Sequence, residues 1–135
     1  MTITRRAALG GAAIVLAASA VAWVTLARCR DDPFPAVLVG DEPAGWTRDA
    51  MLARFGQPTE RAVGPPRRIL LARDHSYQVF QLLQAVPAAD EVELVVWRAY
   101  CRGRLTAEMA GVFDPRSGRL READGKALFD LYRVL

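Results

Sequence analysis

Residues 91–101, EVELVVWRAYC, decide the fold of this chain. Their β-branched and aromatic side chains predict a strand, and we expect that strand to be central in a sheet. Arg102-Gly103-Arg104 follows as a turn, and Leu105–Phe113 is predicted to return as a second strand. One face of this second strand is predicted to carry Leu105, Ala107, Met109 and Phe113.

Downstream of this hairpin, Asp114–Gly118 is typical of a second tight turn, because Pro115 occupies the position that a type I turn favours. A brief strand is predicted at Arg119–Arg121. The chain is then predicted to end in a helix that begins at Asp124, because apolar residues recur at helical spacing: Leu128, Leu131, Tyr132 and Leu135.

Upstream, a short helix is predicted to begin after Thr47, which is a favoured N-cap residue. Asp49 lies in the first turn, where the helix dipole favours an acid, and Trp46 is placed to contact Met51. Gly56 followed by a proline predicts the end of this helix.

The segment between this helix and the central strand begins with a break at Gly64-Pro65-Pro66. Arg67–Ala72 is predicted to be a strand. Ser76–Val86 fits either a helix, by the spacing of its apolar residues, or a strand that follows a turn at 73–76, and the helix is favoured. Pro87 ends the element in either case.

The N-terminal stretch Ala7–Ala27 carries no charge and lies between Arg5-Arg6 and Arg28. About 20 apolar residues span the ~30 Å hydrocarbon core of a bilayer, so residues 1–27 are predicted to be a transmembrane anchor. The alternative is a cleaved twin-arginine-like signal peptide. The distribution of basic residues favours a cytoplasmic N-terminus, which predicts a single-pass protein of a bacterial inner membrane with a periplasmic C-terminal domain.

Composition adds three expectations. Residues 28–45 are rich in proline and predict a linker, and residues 46–135 are long enough for one extracytoplasmic domain. Arg5 and Arg6 supply two of the three net positive charges, so the rest of the chain is close to neutral and we expect no nucleic acid partner.

The fold class predicted is α+β, in which an N-terminal transmembrane helix precedes a small antiparallel sheet with short helices packed on one face.

The two cysteines, Cys29 and Cys101, fit one disulfide in an oxidising compartment. Alternatively, Cys101 is a small buried residue and Cys29 is incidental. The chain lacks the paired Cys and His spacings of zinc and c-type haem sites, so no metal and no cofactor are expected.

No catalytic constellation is evident, and we expect no enzyme. Asp74-His75-Ser76 contains the residue types of a hydrolase triad, but adjacent residues do not converge as a triad must, so the histidine is interpreted as solvated. Glu91 and Glu93 are interpreted as the solvated start of a strand. Two basic groups are interpreted as solvated edges or, alternatively, as contacts for lipid phosphates or an acidic partner. They are Arg98, Arg102 and Arg104, and Arg67, Arg68 and Arg73.

Residues 46–59, WTRDAMLARFGQPT, and residues 112–120, VFDPRSGRL, resemble the small outer-membrane-assembly lipoproteins of the SmpA/OmlA group, which are BamE-like. The resemblance implies a short helix, a Gly-x-Pro stop and an antiparallel meander. It also implies a non-catalytic envelope module that binds other proteins, with no functional residue carried over. The chain departs from the group because it has no valid lipobox and is predicted to end in a helix.

Together these observations predict a membrane-anchored extracytoplasmic protein-interaction module, an accessory or assembly subunit of a bacterial envelope complex. Its expected partners are the lipid bilayer and other membrane or envelope proteins. The alternative is a periplasmic enzyme or enzyme inhibitor that is released after signal cleavage, and a looser option is a lipid-binding or sensing domain that uses the arginine groups.

Overall fold

A computed structural model describes Phe34 and residues 45–134. The predicted anchor (1–27) and most of the predicted linker (28–45) lie outside these residues. Among the described residues, no helix is both long and apolar enough to cross a membrane. The helices are α1 (Arg48–Phe55), α2 (Pro66–Ala72) and α3 (Tyr77–Gln84), and the strands are β1 (Glu60–Gly64), β2 (Val92–Cys101), β3 (Arg104–Phe113), β4 (Glu122–Ala123), β5 (Lys126–Ala127) and β6 (Phe129–Arg133).

Four strands form an antiparallel sheet in the order β1-β2-β3-β6, and β4 and β5 form a separate hairpin. The predicted hairpin of β2 and β3 is confirmed, and its register pairs Val96 with Ala110 and Trp97 with Met109. A bulge interrupts this ladder between Ala99 and Tyr100. The α+β class with a small antiparallel sheet and short helices is therefore correct.

Both faces of the sheet are buried, each under different helices. Alternate residues of β2 and β3 point to opposite faces, so Leu94 and Val96 pack with Ile69 of α2 and with α3, whereas Val95 and Trp97 pack with α1. The prediction that the helices pack on one face is wrong. The reason is that β2 is apolar without interruption from Leu94 to Trp97, which requires cover on both sides.

Helix α1 forms as its capping residues predict. The Thr47 side chain accepts a hydrogen bond from the Ala50 backbone N–H at 3.2 Å, and Gly56 ends the helix at φ 80°, a left-handed conformation that suits glycine. Trp46 stacks on Phe55, with ring centroids 5.8 Å apart. Phe34, which belongs to the segment predicted as a linker, is buried against the same Phe55 ring.

Residues 67–72, predicted as a strand, form helix α2 instead. Pro66 occupies the first turn, where the missing N–H of proline costs nothing, and Ile69 turns into the core. The preference for helix in residues 76–86 is confirmed by α3. Its N-cap is Ser76, whose hydroxyl accepts from the Val79 N–H at 3.2 Å.

The predicted C-terminal helix is wrong. Asp124 and Gly125 have φ of 52° and 75° and form the turn of the β4–β5 hairpin, after which β6 pairs with β3. Phe129 and Leu131 both pack against the α1 side of the sheet, which is the alternation of a strand. The predicted strand at Arg119–Arg121 consists of isolated bridges to Thr47 and Phe113.

Candidate functional site

Helices α2 and α3 expose a group of large apolar side chains side by side. Leu71 is 76% exposed and Tyr77 is 74% exposed, and Phe80 is also exposed. They line a hollow of about 620 Å³. We call its lining the α2–α3 surface, which consists of Arg67, Leu70, Leu71, Arg73, Asp74, His75, Tyr77 and Phe80.

Helical spacing explains why these side chains meet. Arg67, Leu70 and Leu71 are three and four residues apart, so they share one side of α2. Tyr77 and Phe80 share a side of α3 in the same way, while other residues of α3 enter the core. A second hollow of about 570 Å³ adjoins the first, shares Arg67 and Leu71 with it, and also includes Arg68.

The charge of this region is positive, and two of its arginines have no carboxylate partner among the described residues. Arg67 and Arg68 are exposed and form no ion pair with any described residue. Arg73 is largely exposed, with its Nε 3.7 Å from Glu60 Oε1. Among the described residues that line the α2–α3 surface, Asp74 is the one acid.

A buried ion cluster lies under the α2–α3 turn and joins it to three strands. The carboxylates of Glu60 on β1 and Glu108 on β3 are 1% and 2% exposed. Arg98 on β2 bridges them, with its Nη2 3.0 Å from Glu60 Oε2 and its Nε 2.8 Å from Glu108 Oε2. Ser76 Oγ donates a further hydrogen bond to Glu108 Oε1.

Burial lowers the pKa of Arg98, but hydrogen bonds and Coulomb attraction to Glu108 and Glu60 outweigh this effect and raise the pKa above its ordinary value. The guanidinium therefore stays charged in the cluster. The sequence-based expectation that Arg98 belongs to a solvated edge is wrong, because the register of β1, β2 and β3 brings two carboxylates to its side.

His75 is the second connection between the turn and the sheet. Its side chain is 3% exposed, so the prediction of a solvated histidine is wrong. Nε2 lies 2.7 Å from the Ile69 carbonyl oxygen, which only accepts, so we assign a proton to Nε2. Nδ1 lies 3.2 Å from Glu60 Oε1, so the ring faces the buried carboxylate.

The three residue types of a triad do not converge. The Ser76 hydroxyl bonds Glu108 rather than the neighbouring histidine, and Asp74 is exposed.

On the opposite face of the sheet, Glu93 is a buried carboxylate. Arg48 Nη1 and Arg61 Nη2 lie 3.2 Å and 3.3 Å from Glu93 Oε1. The interpretation of Glu93 as solvated is therefore wrong, whereas Glu91 is exposed as expected. A hydrogen bond with Asp49 and the nearby Glu93 raise the pKa of Arg48, although desolvation opposes them.

The other residues singled out in the sequence lie at the β2–β3 turn. Arg102 and Arg104 are exposed there, and their contact with a lipid or a partner stays a prediction. Cys101 is disulfide-bonded. Cys29 lies outside the described residues, so the pairing of Cys29 with Cys101 also stays a prediction.

Within the part of the chain that the structure describes, no three His, Cys, Asp or Glu side chains are grouped so as to hold a metal ion. The sequence did not predict the buried cluster of Glu60, Arg98 and Glu108, because these residues are distant in sequence and come together only through strand pairing. Comparison with protein-family models, with curated proteins and with solved structures finds no match for this chain.

Proposed function

We propose that this chain is a membrane-anchored extracytoplasmic module that acts by binding another protein, as a non-catalytic accessory or assembly subunit. In this proposal residues 1–27 span a bacterial inner membrane and the folded domain lies in the periplasm. The resemblance to BamE-like lipoproteins implies the same kind of role and is part of the proposal.

The observation that carries the proposal is the α2–α3 surface. Soluble proteins expose single apolar side chains often, but a contiguous apolar patch with a polar rim is characteristic of an interaction site. Leu71 and Tyr77 are about three-quarters exposed and line the same hollow as Phe80. Aromatic side chains and arginine are also the residue types enriched in the energetically dominant parts of protein interfaces.

The fold supports the use of this surface for docking. The Glu60–Arg98–Glu108 cluster and His75 fasten the α2–α3 turn to three strands, so the surface is held in place before a partner arrives. Such preorganisation reduces the entropy lost on binding.

Site-specific photo-crosslinking in native membranes tests this function. A photo-crosslinking amino acid replaces Tyr77 in the full chain, and the matched control carries it at Arg116, an exposed residue of the loop after β3. We expect a discrete protein adduct from position 77 and none of that mass from position 116. If positions 77, 116 and a third exposed site, Tyr132, all gave no protein adduct, protein binding would be refuted.

A further inference from the structure

We propose that the partner segment bound at the α2–α3 surface is an acidic segment of a protein chain that also carries apolar side chains. This inference rests on the proposed function and specifies the chemistry of the same site. Three features of the described residues carry it: the charge of two unpaired arginines, the recessed shape, and the way in which charged and apolar side chains alternate across the surface.

The first feature is the charge. Arg67 is shared by both hollows and Arg68 lines the second, and neither pairs with a described carboxylate. Elsewhere in the domain the buried arginines are used differently, since Arg98 and Arg48 each contact buried carboxylates. A guanidinium matches a carboxylate in shape and can bond it through two N–H groups. The unpaired arginines therefore select an anionic partner.

The second feature is the shape. The hollow lies between α2 and α3 and takes Leu70 from one helix and Phe80 from the other as apolar walls. Peptide segments commonly dock into apolar grooves of this kind by inserting a few anchoring side chains. A bilayer surface would contact the protruding groups but leave such a recess unfilled, so a peptide segment fits better than a lipid surface.

The third feature is the way in which arginines and apolar side chains alternate across the two hollows. Leu71 stands between the two hollows, with Arg67 common to both and Arg68 and Arg73 in one hollow each. A segment crossing the surface would place apolar side chains beside Leu71 and Tyr77 and carboxylates beside the arginines. Acidic residues interspersed with apolar ones satisfy both requirements.

The test uses the full chain in native membranes with a photo-crosslinking amino acid at Leu71, followed by mass spectrometry of the crosslinked peptides. The charge-reversal variant is Arg67→Glu/Arg68→Glu. Its matched control is Arg116→Glu/Arg119→Glu, which changes the net charge equally at exposed arginines away from the surface. Thermal unfolding confirms that each variant folds.

We expect the adducts to map to protein segments in which Asp and Glu outnumber Lys and Arg. The Arg67→Glu/Arg68→Glu variant should reduce adduct yield about tenfold, whereas the control should not, because like charges across an interface are strongly unfavourable. Raising the ionic strength should reduce the yield of the wild type, since exposed charges are screened.

Other outcomes would overturn the inference. Lipid adducts would identify a bilayer as the occupant, and adducts in basic segments, or yields indifferent to charge reversal, would exclude an acidic partner. Protein adducts from Tyr132 but none from Leu71 would refute the inference and leave the proposed protein-binding function standing on another surface. Absence of protein adducts from every position would refute both.

Discussion

Replacing Arg98 by methionine tests whether the buried ion cluster holds the α2–α3 turn on the sheet. Arg98→Met keeps most of the aliphatic stem but removes the charge between Glu60 and Glu108. Glu60 keeps His75 at 3.2 Å and Arg73 at 3.7 Å, whereas Glu108 keeps only the Ser76 hydroxyl among the partners in the described cluster. The unpaired charge therefore remains chiefly on Glu108.

Removing one partner of a buried ion pair costs about 3–5 kcal/mol, because the other charge stays buried without compensation. The contacts left to Glu60 argue for the lower end, so we expect a loss of about 3 kcal/mol in the free energy of unfolding. With an m-value of about 1 kcal/mol/M for a domain of this size, the urea midpoint should fall by about 3 M.

The assay is urea unfolding of the full chain in detergent micelles, monitored by tryptophan fluorescence. Trp97 is buried in the core on the α1 side, and the half-buried Trp46 packs against the same cluster. Arg116→Met is the control, because this arginine is exposed and should shift stability by less than about 0.5 kcal/mol. Adding Glu108→Gln to Arg98→Met should restore part of the loss, since it removes the uncompensated charge. A midpoint for Arg98→Met equal to that of the control, or no recovery in the double variant, would refute the electrostatic argument.

Three further predictions concern other parts of the domain. Gly111→Ala would place a Cβ 2.8 Å from two ring carbons of the buried Phe113, so urea unfolding should show a loss of about 1–3 kcal/mol, and wild-type stability would contradict this packing. Backbone N–H groups of Ser117 and Arg116 lower the pKa of Asp114. The contribution of this carboxylate to stability is therefore complete above about pH 4 and is lost as the pH falls through the folded-state pKa. The Asp114→Asn variant should lose less stability in acid than the wild type, and an unchanged pH profile of stability would contradict this assignment. Non-reducing peptide mapping should recover the Cys29 and Cys101 peptides as one linked species that reduction separates, and a Cys101–Cys101 species would instead indicate pairing between chains.

The elements that could be predicted from the sequence are those fixed by local chemistry. Thr47 and Gly56 mark the ends of α1 by their side-chain and backbone preferences, and Ser76 caps α3 in the same way. The β2–β3 hairpin follows from a long β-branched run, a Gly-containing turn and a second apolar run. In each case the residues that specify the structure are within a few positions of one another.

The secondary-structure predictions that proved wrong concern two kinds of segment. In one kind the apolar residues fit both a helix and a strand, and in the other the structure depends on pairing with a strand that is distant in sequence. Residues 67–72 are too few to distinguish helix from strand by pattern, although Pro66 at the first position was an available signal for a helix. Residues 128–135 fit helical spacing, but Asp124-Gly125 turns the chain back so that β6 completes the sheet beside β3. An unpaired β3 would have left its backbone groups without partners, which is a non-local cost.

The division of the arginines into two roles is also non-local. Arg98 and Arg67 each lie beside apolar residues and near other arginines, and the neighbouring sequence alone does not show which of them meets a buried carboxylate. Strand register gives Arg98 two buried carboxylates, whereas no strand opposes Arg67, which therefore stays exposed beside Leu71. Mutations of the two kinds of arginine should consequently have different effects, one on the stability of the domain and the other on partner binding. Arg98→Met should lower the free energy of unfolding by about 3 kcal/mol. Arg67→Glu/Arg68→Glu should weaken partner contact while its free energy of unfolding stays within about 0.5 kcal/mol of the wild-type value. If instead both variants lowered stability equally, Arg67 and Arg68 would belong to the structural framework, and the charge of the α2–α3 surface could no longer be attributed to recognition.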